Sequence, residues 1–116
     1  MRRIVFLGLF ALYSISVSAV LADNDTHTLT LRDHKFEPAE LRVPADRKLK
    51  LVVVNTDPTP EEFESHDLNR EKVVTGKGTI TMFVGPLKPG AYSFFGEFNK
   101  ETAKGTLIAE AGPVTK

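Results

Sequence analysis

The sequence predicts an all-β fold, a β-sandwich of about seven short strands. Apolar and polar residues alternate with a period of two through most of the chain after residue 27, which is typical of half-buried strands. Turns rich in glycine and proline separate these runs, and no run there has the 3.6-residue period of an amphipathic helix. The alternating pattern and the turns together favour a sandwich of antiparallel or mixed sheets.

The first predicted strands lie between residues 28 and 54. Residues 28–31 alternate threonine and leucine, which predicts a strand with one apolar face. Residues 36–44 alternate again, and their prolines suit an edge strand or a bend. Residues 49–54 are apolar enough for a strand buried on both faces. That strand ends at the loop 55–60, where two prolines disfavour helix.

The later elements follow the same logic, with short alternating runs between turns. Glycines 76 and 78 mark one turn, and Pro89-Gly90 suits the central positions of a type II turn. The predicted strands of this half are 62–64, 68–74, 79–84, 91–95 and 105–110.

The amino-terminal residues 1–22 predict a signal peptide. Arg2 and Arg3 precede an apolar run, and Val20-Leu21-Ala22 provides a cleavage site. An uncleaved membrane anchor is the alternative, which serines within the run and the lack of a basic stop-transfer cluster disfavour. We therefore expect cleavage after Ala22 and a single exported, periplasmic domain over 23–116, without stable membrane insertion.

Composition excludes several classes of function. The 15 Lys and Arg residues balance 15 Asp and Glu residues, so there is no electrostatic case for binding nucleic acid. The chain contains no cysteine, which excludes disulfides, thiolate metal sites and a cysteine nucleophile. No catalytic residue and no organic cofactor site is predicted.

Residues 90–105 resemble the copper-binding strand of the cupredoxin family, Gly-x-Tyr-x-Phe-x-Cys-x-x-His-x-x-x-Met-x-Gly. The matching positions are Gly90, Tyr92, Phe94 and Gly105. The positions of the family's cysteine, histidine and methionine ligands hold Gly96, Asn99 and Ala103. Segments 31–45 and 51–57 also resemble small bacterial cupredoxin-like domains. The resemblance implies a cupredoxin-like Greek-key β-sandwich.

The same resemblance argues against type 1 copper, which needs a thiolate and two imidazoles. The family's first histidine falls just after the Asn55 loop, where this chain has Glu61 or Glu62. We interpret Gly96 as a space-saving residue beneath Phe63 or Phe98, which would fill the vacated pocket.

A different metal site is predicted from hard ligands nearby. In an extended chain Glu62, Glu64 and His66 point to one side, and Glu97 adjoins the lost cysteine position on a strand expected to lie close by. Carboxylates with one imidazole suit iron, manganese or zinc better than copper(I). The alternative is that the segment is only a solvated acidic edge.

Three sequence segments resemble the periplasmic cupredoxin-like component of bacterial ferrous iron uptake systems. They are residues 62–65, 67–74 and 94–98. Such components work beside an iron permease and a second periplasmic metal-binding protein. The resemblance implies that the protein handles or oxidises ferrous iron, with a non-type-1 copper as a further option. The competing hypothesis is a metal-free adaptor that acts through protein contacts, with Phe95 as an exposed aromatic on the face opposite Phe94.

Overall fold

A computed structural model describes residues 25–112, so the predicted signal peptide and its cleavage site lie outside the described residues. This part of the chain forms nine strands and one short 3-10 helix. The strands are β1 (Thr26–Arg32), β2 (Lys35–Glu37), β3 (Glu40–Pro44), β4 (Leu49–Asn55), β5 (Glu61–Ser65), β6 (Arg70–Val74), β7 (Thr79–Val84), β8 (Gly90–Gly96) and β9 (Lys104–Glu110). The 3-10 helix, Glu97–Asn99, follows β8 directly.

The strands form two sheets, which confirms the all-β class and the predicted β-sandwich. One sheet has the order β2-β1-β4-β7, and the other has the order β3-β9-β8-β5-β6. The sheets are mixed, because β1 runs parallel to β4 and β3 runs parallel to β9, whereas the other pairs are antiparallel.

The described part of the chain has nine strands, above the predicted value of about seven. Residues 36–44 were predicted to form an edge strand or a bend, and the chain here leaves one sheet after Glu37 and enters the other at Glu40. Pro38 and Ala39 make that crossing. Proline lacks an amide donor and interrupts a ladder, so the break falls where the sequence allows it.

Three aromatic rings occupy the centre of the core. Phe63 and Phe94 stack with their ring centroids 5.5 Å apart, and Phe36 meets Phe94 edge-on at 5.1 Å. All three side chains are buried. Such pairs add stability beyond the burial of their area, so this cluster fixes how β5 and β8 sit against the opposite sheet.

The prediction that residues 49–54 are buried on both faces was wrong. Leu49, Leu51 and Val53 are fully buried, but Val52 is half-buried and Lys50 is exposed. Within residues 25–112 no further layer covers the outer face of the four-stranded sheet, so only every second residue of β4 enters the core. Because the outward-facing residues Val52 and Val54 are also apolar, residues 49–54 looked in the sequence like a strand buried on both faces.

Arg70 connects the two sheets at one side of the sandwich. It lies on β6, an edge strand of one sheet, and its Nε and Nη2 donate hydrogen bonds of 3.0 and 2.8 Å to the carbonyl of Phe83 on β7, an edge strand of the other. Two donors on one acceptor use the planar fork of the guanidinium. The side chain therefore closes the seam between neighbouring edges.

Candidate metal site on the outer face of the five-stranded sheet

The positions that correspond to copper ligands in the family come together in the structure. A Cβ atom built on Gly96 would lie 2.5 Å from Cδ of Glu61 and 2.8 Å from Cβ of Ala103. Nδ2 of Asn99 donates a 2.8 Å hydrogen bond to Oε2 of Glu61. Glu61, rather than Glu62, therefore takes the place of the first histidine.

Gly96 is a space-saving residue as interpreted from the sequence, but the group that fills the space differs. The carboxylate of Glu61 and the methyl group of Ala103 occupy it. Phe63 belongs to the aromatic core, and Phe98 is 53% exposed. The expectation that an aromatic ring fills the vacated pocket was therefore wrong for Phe98. Phe63 pairs with Gly96 across the β5–β8 ladder, but the Glu61 carboxylate and the Ala103 methyl group lie nearer to the built Cβ.

The Glu61 side chain is only 3% exposed, and both of its oxygens are hydrogen-bonded. Oε1 accepts the backbone N–H of Phe98 at 2.7 Å and that of Glu62 at 2.9 Å, while Oε2 accepts Nδ2 of Asn99. A buried carboxylate is tolerated when such donors replace its hydration. These contacts tie β5 to the 3-10 helix.

A cluster of carboxylates, called here the acidic cluster, lies on the opposite face of β5. Its members are Glu62, Glu64, Glu71 and Glu97. Glu62 and Glu64 alternate with buried residues of β5 and so point away from the core. Glu64 pairs directly with Glu71 of β6, and one oxygen from each of Glu62, Glu64 and Glu71 lies within 4.8 Å of the others.

Glu71 was missed in the sequence analysis, although a signal for it exists. The register of the β5–β6 hairpin places Glu64 opposite Glu71, and paired residues of antiparallel strands share a face. The pairing can be predicted once the length of the turn between the two strands is known.

The predicted ligands Glu97 and His66 lie at the border of the cluster. Oε2 of Glu97 is 3.6 Å from Nζ of Lys100. Nε2 of His66 is 3.9 Å from Oε2 of Glu64, and the imidazole is 78% exposed. The structure thus brings Glu62 and Glu64 together with Glu71, whereas Glu97 and His66 are not part of that converging group.

Crowding changes the protonation of this cluster. The pKa of Glu62 is raised by a hydrogen bond with Glu71, by partial burial, and by the charges of Glu71, Glu64 and Glu97. The pKa of Glu64 is raised first by burial, then by the charge of Glu71 and by the hydrogen bond and charge of Glu97, while His66 opposes the rise. Each carboxylate makes it harder for its neighbours to ionise.

The raised pKa values predict that the metal-free protein gains stability as the pH falls from 7 toward 5. A raised pKa in the folded state means that folding takes up protons, so stability is lost as the pH rises through these values. Urea unfolding at both pH values should show this trend, and Glu71→Gln should flatten it and stabilise the protein at pH 7. A wild-type trend that survives unchanged in Glu71→Gln would show that the repulsion lies elsewhere.

Two other carboxyl groups set the lower limit of that pH window. Partial burial opposes ionisation of Asp57, but hydrogen bonds from the backbone N–H groups of His34 and Asp33 outweigh it and lower its pKa. Hydrogen bonds from the backbone and hydroxyl of Ser93 lower the pKa of Asp67. Stability that depends on these two groups is lost only as the pH falls below their ordinary value of 3.8.

The sandwich, together with ligand positions that carry no sulfur or imidazole, defines a cupredoxin-like domain without type 1 copper. The family model described as a cupredoxin-like domain matches residues 3–109, and the chain belongs to this family. Within residues 25–112, no helix is long and apolar enough to cross a membrane.

A relative in sequence and several solved structures are similar to this chain. An uncharacterized protein of Rickettsia prowazekii (strain Madrid E) is 49% identical over 80 residues, which cover 69% of this chain and 64% of that protein. The chain therefore spans somewhat less than two thirds of its relative's length.

Amicyanin from Paracoccus versutus has a TM-score of 0.59 at 16% identity over 74% of this chain and 82% of its own. Auracyanin A from Chloroflexus aurantiacus has a TM-score of 0.62 at 12% identity over 73% and 98%. A chain of a heme-copper terminal oxidase dimer has a TM-score of 0.64 at 16% identity over 77% and 67%. At these identities the likeness shows the fold alone.

The residues at the family's ligand positions do not fit a type 1 copper ion. Gly96 and Ala103 offer no donor atom, and the chain has no cysteine to place there. Both oxygens of the Glu61 carboxylate already accept hydrogen bonds, three in total, from groups of the protein. Any metal chemistry of this domain must therefore use other side chains.

Proposed function

We propose that this protein is a periplasmic metal-handling protein that binds ferrous iron, or assists its oxidation, before uptake through an iron permease. The proposal depends on one observation, the convergence of Glu62, Glu64 and Glu71 within 4.8 Å. Carboxylate oxygens are hard ligands, and with an added imidazole they suit iron, manganese or zinc. His66 supplies that imidazole, 3.9 Å from Glu64.

The electrostatics of the acidic cluster support a cation as its ligand. The raised pKa values of Glu62 and Glu64 show that these groups resist ionisation beside one another. A divalent cation removes that repulsion and displaces the shared protons, so binding would release protons and weaken in acid. Lys100 pairs with Glu97 alone, so it compensates only one negative charge, at the border of the cluster.

The position of the cluster also favours transfer of the ion rather than permanent storage. Glu62 and Glu64 are half-buried on an outer sheet face, and Glu71 is exposed. An ion held there would remain within reach of another protein, such as the permease or a second periplasmic metal-binding protein. Carboxylate ligands stabilise the ferric state, so an ion held there would pass one electron more readily to an external acceptor such as dioxygen, which the site itself does not supply. A non-type-1 copper is a second candidate for this ligand set.

The alternative function is a metal-free adaptor, and two exposed apolar side chains favour it. Val73 pairs with Glu62 and is 49% exposed, and Phe98 follows Glu97 and is 53% exposed. Phe95 points away from the buried Phe94, as the alternation predicts, but it is half-buried between His66 and Lys100. It therefore offers a partner less surface than the sequence suggested.

Calorimetric titration of the purified domain separates the two functions. Anaerobic Fe²⁺, with Mn²⁺ as a redox-stable substitute, should bind at a single site with an affinity that falls between pH 7 and pH 5. An adaptor would bind neither ion above background, and that result would overturn the metal-handling proposal.

A further inference from the structure

Phe83 presents an aromatic ring on the outer face of the four-stranded sheet. Its side chain is 48% exposed, whereas its neighbours on β7, Met82 and Val84, are buried. The guanidinium of Arg70 donates two hydrogen bonds to the Phe83 carbonyl, which fixes the backbone at this position. A single exposed ring is common on protein surfaces, so its meaning depends on what surrounds it.

Two lysines flank this ring. Nζ of Lys48 lies 4.8 Å from the centroid of the Phe83 ring. Lys50 pairs with Phe83 across the β4–β7 ladder, and both side chains point outward, so their Cβ atoms lie about 5 Å apart. Within residues 25–112 neither lysine forms an ion pair. We call these three residues, Lys48, Lys50 and Phe83, the basic aromatic patch.

The carboxylates at the border of this face do not neutralise the patch. Oδ1 of Asp25 lies 2.8 Å from Nη2 of Arg47, and Oε1 of Glu37 lies 3.4 Å from Nε of Arg32. Asp46 is the remaining carboxylate of the loop before β4, and it is exposed. Each of the two paired carboxylates already has an arginine as its partner. The positive charge of the two lysines is therefore left to act on the solvent side.

The two outer faces of the sandwich differ in the sign of their charge. Strand alternation identifies the residues that point outward. On the four-stranded sheet the outward charged residues are Arg32, Lys35, Glu37 and Lys50. On the five-stranded sheet they are Glu40, Arg42, Glu62, Glu64, Glu71, Lys104 and Glu110. A negatively charged surface would therefore attract the first face and repel the second, which would orient the molecule.

We propose that the basic aromatic patch docks this protein reversibly on the surface of an anionic lipid bilayer. Anionic headgroups attract lysines that lie close to the bilayer surface. An aromatic ring between those lysines enters the boundary between headgroups and acyl chains, and its apolar area leaves water there. The docked molecule would turn its acidic sheet away from the lipid. The inference does not depend on the metal-handling function, because no residue of the patch belongs to the acidic cluster.

The size of the patch favours a bilayer over a protein partner. A specific protein interface buries about 800 Å² on each side, with closely matched shapes. One ring and two lysines supply only a small part of that area. A fluid lipid surface requires no matching shape, so a protruding ring with flanking cations is sufficient for weak attachment.

The first experiment measures co-sedimentation of residues 23–116 with lipid vesicles. This is the chain expected after cleavage, and both sheets and the buried core lie within it. The protein should bind vesicles of phosphatidylglycerol and phosphatidylcholine in equal parts at low salt, and high salt should release it because ions screen the attraction. Vesicles of phosphatidylcholine alone should not bind it. Failure to bind the anionic vesicles, or equal binding to both kinds, would overturn the proposal.

Two variants test the patch itself. Lys48→Gln/Lys50→Gln should weaken binding to the anionic vesicles by about an order of magnitude or more. Phe83→Thr should weaken it by about fivefold, since half of the ring is available to leave water. Both variants should fold, because the side chains are exposed and Arg70 bonds to the backbone of residue 83. Unchanged binding in both variants would overturn the proposal.

Matched controls make the same chemical changes on the other sheet and its adjoining helix. Lys72→Gln/Lys104→Gln removes the same charge from exposed positions of β6 and β9, and Phe98→Thr removes a ring that is 53% exposed. These proteins should bind the vesicles as the wild type does. Losses as large as those of the patch variants would overturn the proposal, because net charge or total apolar area would then decide the binding.

Tryptophan fluorescence locates the docked surface. The chain contains no tryptophan, so one introduced tryptophan reports on one position. Emission from Phe83→Trp should shift to shorter wavelength when anionic vesicles are added, whereas emission from Phe98→Trp should not. A shift at Phe98→Trp alone would overturn the proposal by placing the lipid at the other sheet. Retention of the wild type on immobilised polyglutamate, without vesicle binding, would overturn it in favour of an acidic protein partner.

Discussion

Replacing Gly96 with leucine should lower the free energy of unfolding by about 3 kcal/mol, because the new side chain enters space that is already filled. Even the Cβ atom would lie 2.5 Å from Cδ and 2.6 Å from Oε2 of Glu61, distances that real contacts do not reach. The carboxylate would have to move, and it would lose the donors that compensate its burial. Urea unfolding at pH 7 measures the change.

Gly112→Leu is the control for this substitution, since no atom lies within 4 Å of a Cβ built at Gly112. It should leave stability within about 0.5 kcal/mol of the wild type. Removing the obstructing side chain in Gly96→Leu/Glu61→Ala should recover part of the loss, because the two residues compete for one space. A neutral Gly96→Leu would mean that the pocket opens readily, contrary to the packing described above.

Removing two paired ligands should nearly abolish metal binding. Glu64→Gln/Glu71→Gln replaces two carboxylates that face each other across the β5–β6 ladder, and affinity for Mn²⁺ should fall by roughly a hundredfold or more. His66→Ala and Glu97→Ala, which lie at the border of the cluster, should each weaken binding by about an order of magnitude. Calorimetric titration of the four proteins at pH 7 measures these losses.

The metal-free double variant should be at least as stable as the wild type, because the mutual repulsion of the carboxylates is removed. Glu40→Gln, on the exposed edge strand β3, is the matched control and should bind the ion as the wild type does. Unchanged affinity in both His66→Ala and Glu97→Ala would remove these residues from the site. Unchanged affinity in the double variant would leave the adaptor function as the better account.

The fold followed from the sequence because alternation and turn residues are local signals. The sequence also indicates which side chains of β5 face the core, because Phe63 must face inward and Glu61 lies on the same side of the strand. That shared phase does not say which of the two side chains lies nearer to Gly96. A buried carboxylate is rare without donors, and two of its donors lie 37 and 38 residues along the chain, where no local pattern points to them.

The candidate site was predictable in part for the same reason. Glu62, Glu64 and His66 share one segment, so their common direction follows from strand geometry. Glu71 depends on the register of a hairpin, and register depends on the conformation of the turn rather than on the strands. Glu97 lies on a 3-10 helix that strand alternation could not reveal. Its place near Glu64 comes from tertiary contacts.

The Arg70 link between the sheets has a consequence for how this protein behaves at high concentration. An edge strand with free carbonyls is a template on which a second chain can add a strand and begin to aggregate. Arg70 occupies the Phe83 carbonyl with two donors, and Nζ of Lys48 lies 4.8 Å above the Phe83 ring. A foreign strand would have to displace a guanidinium and a lysine together to dock at β7, so these charges oppose self-association at this edge.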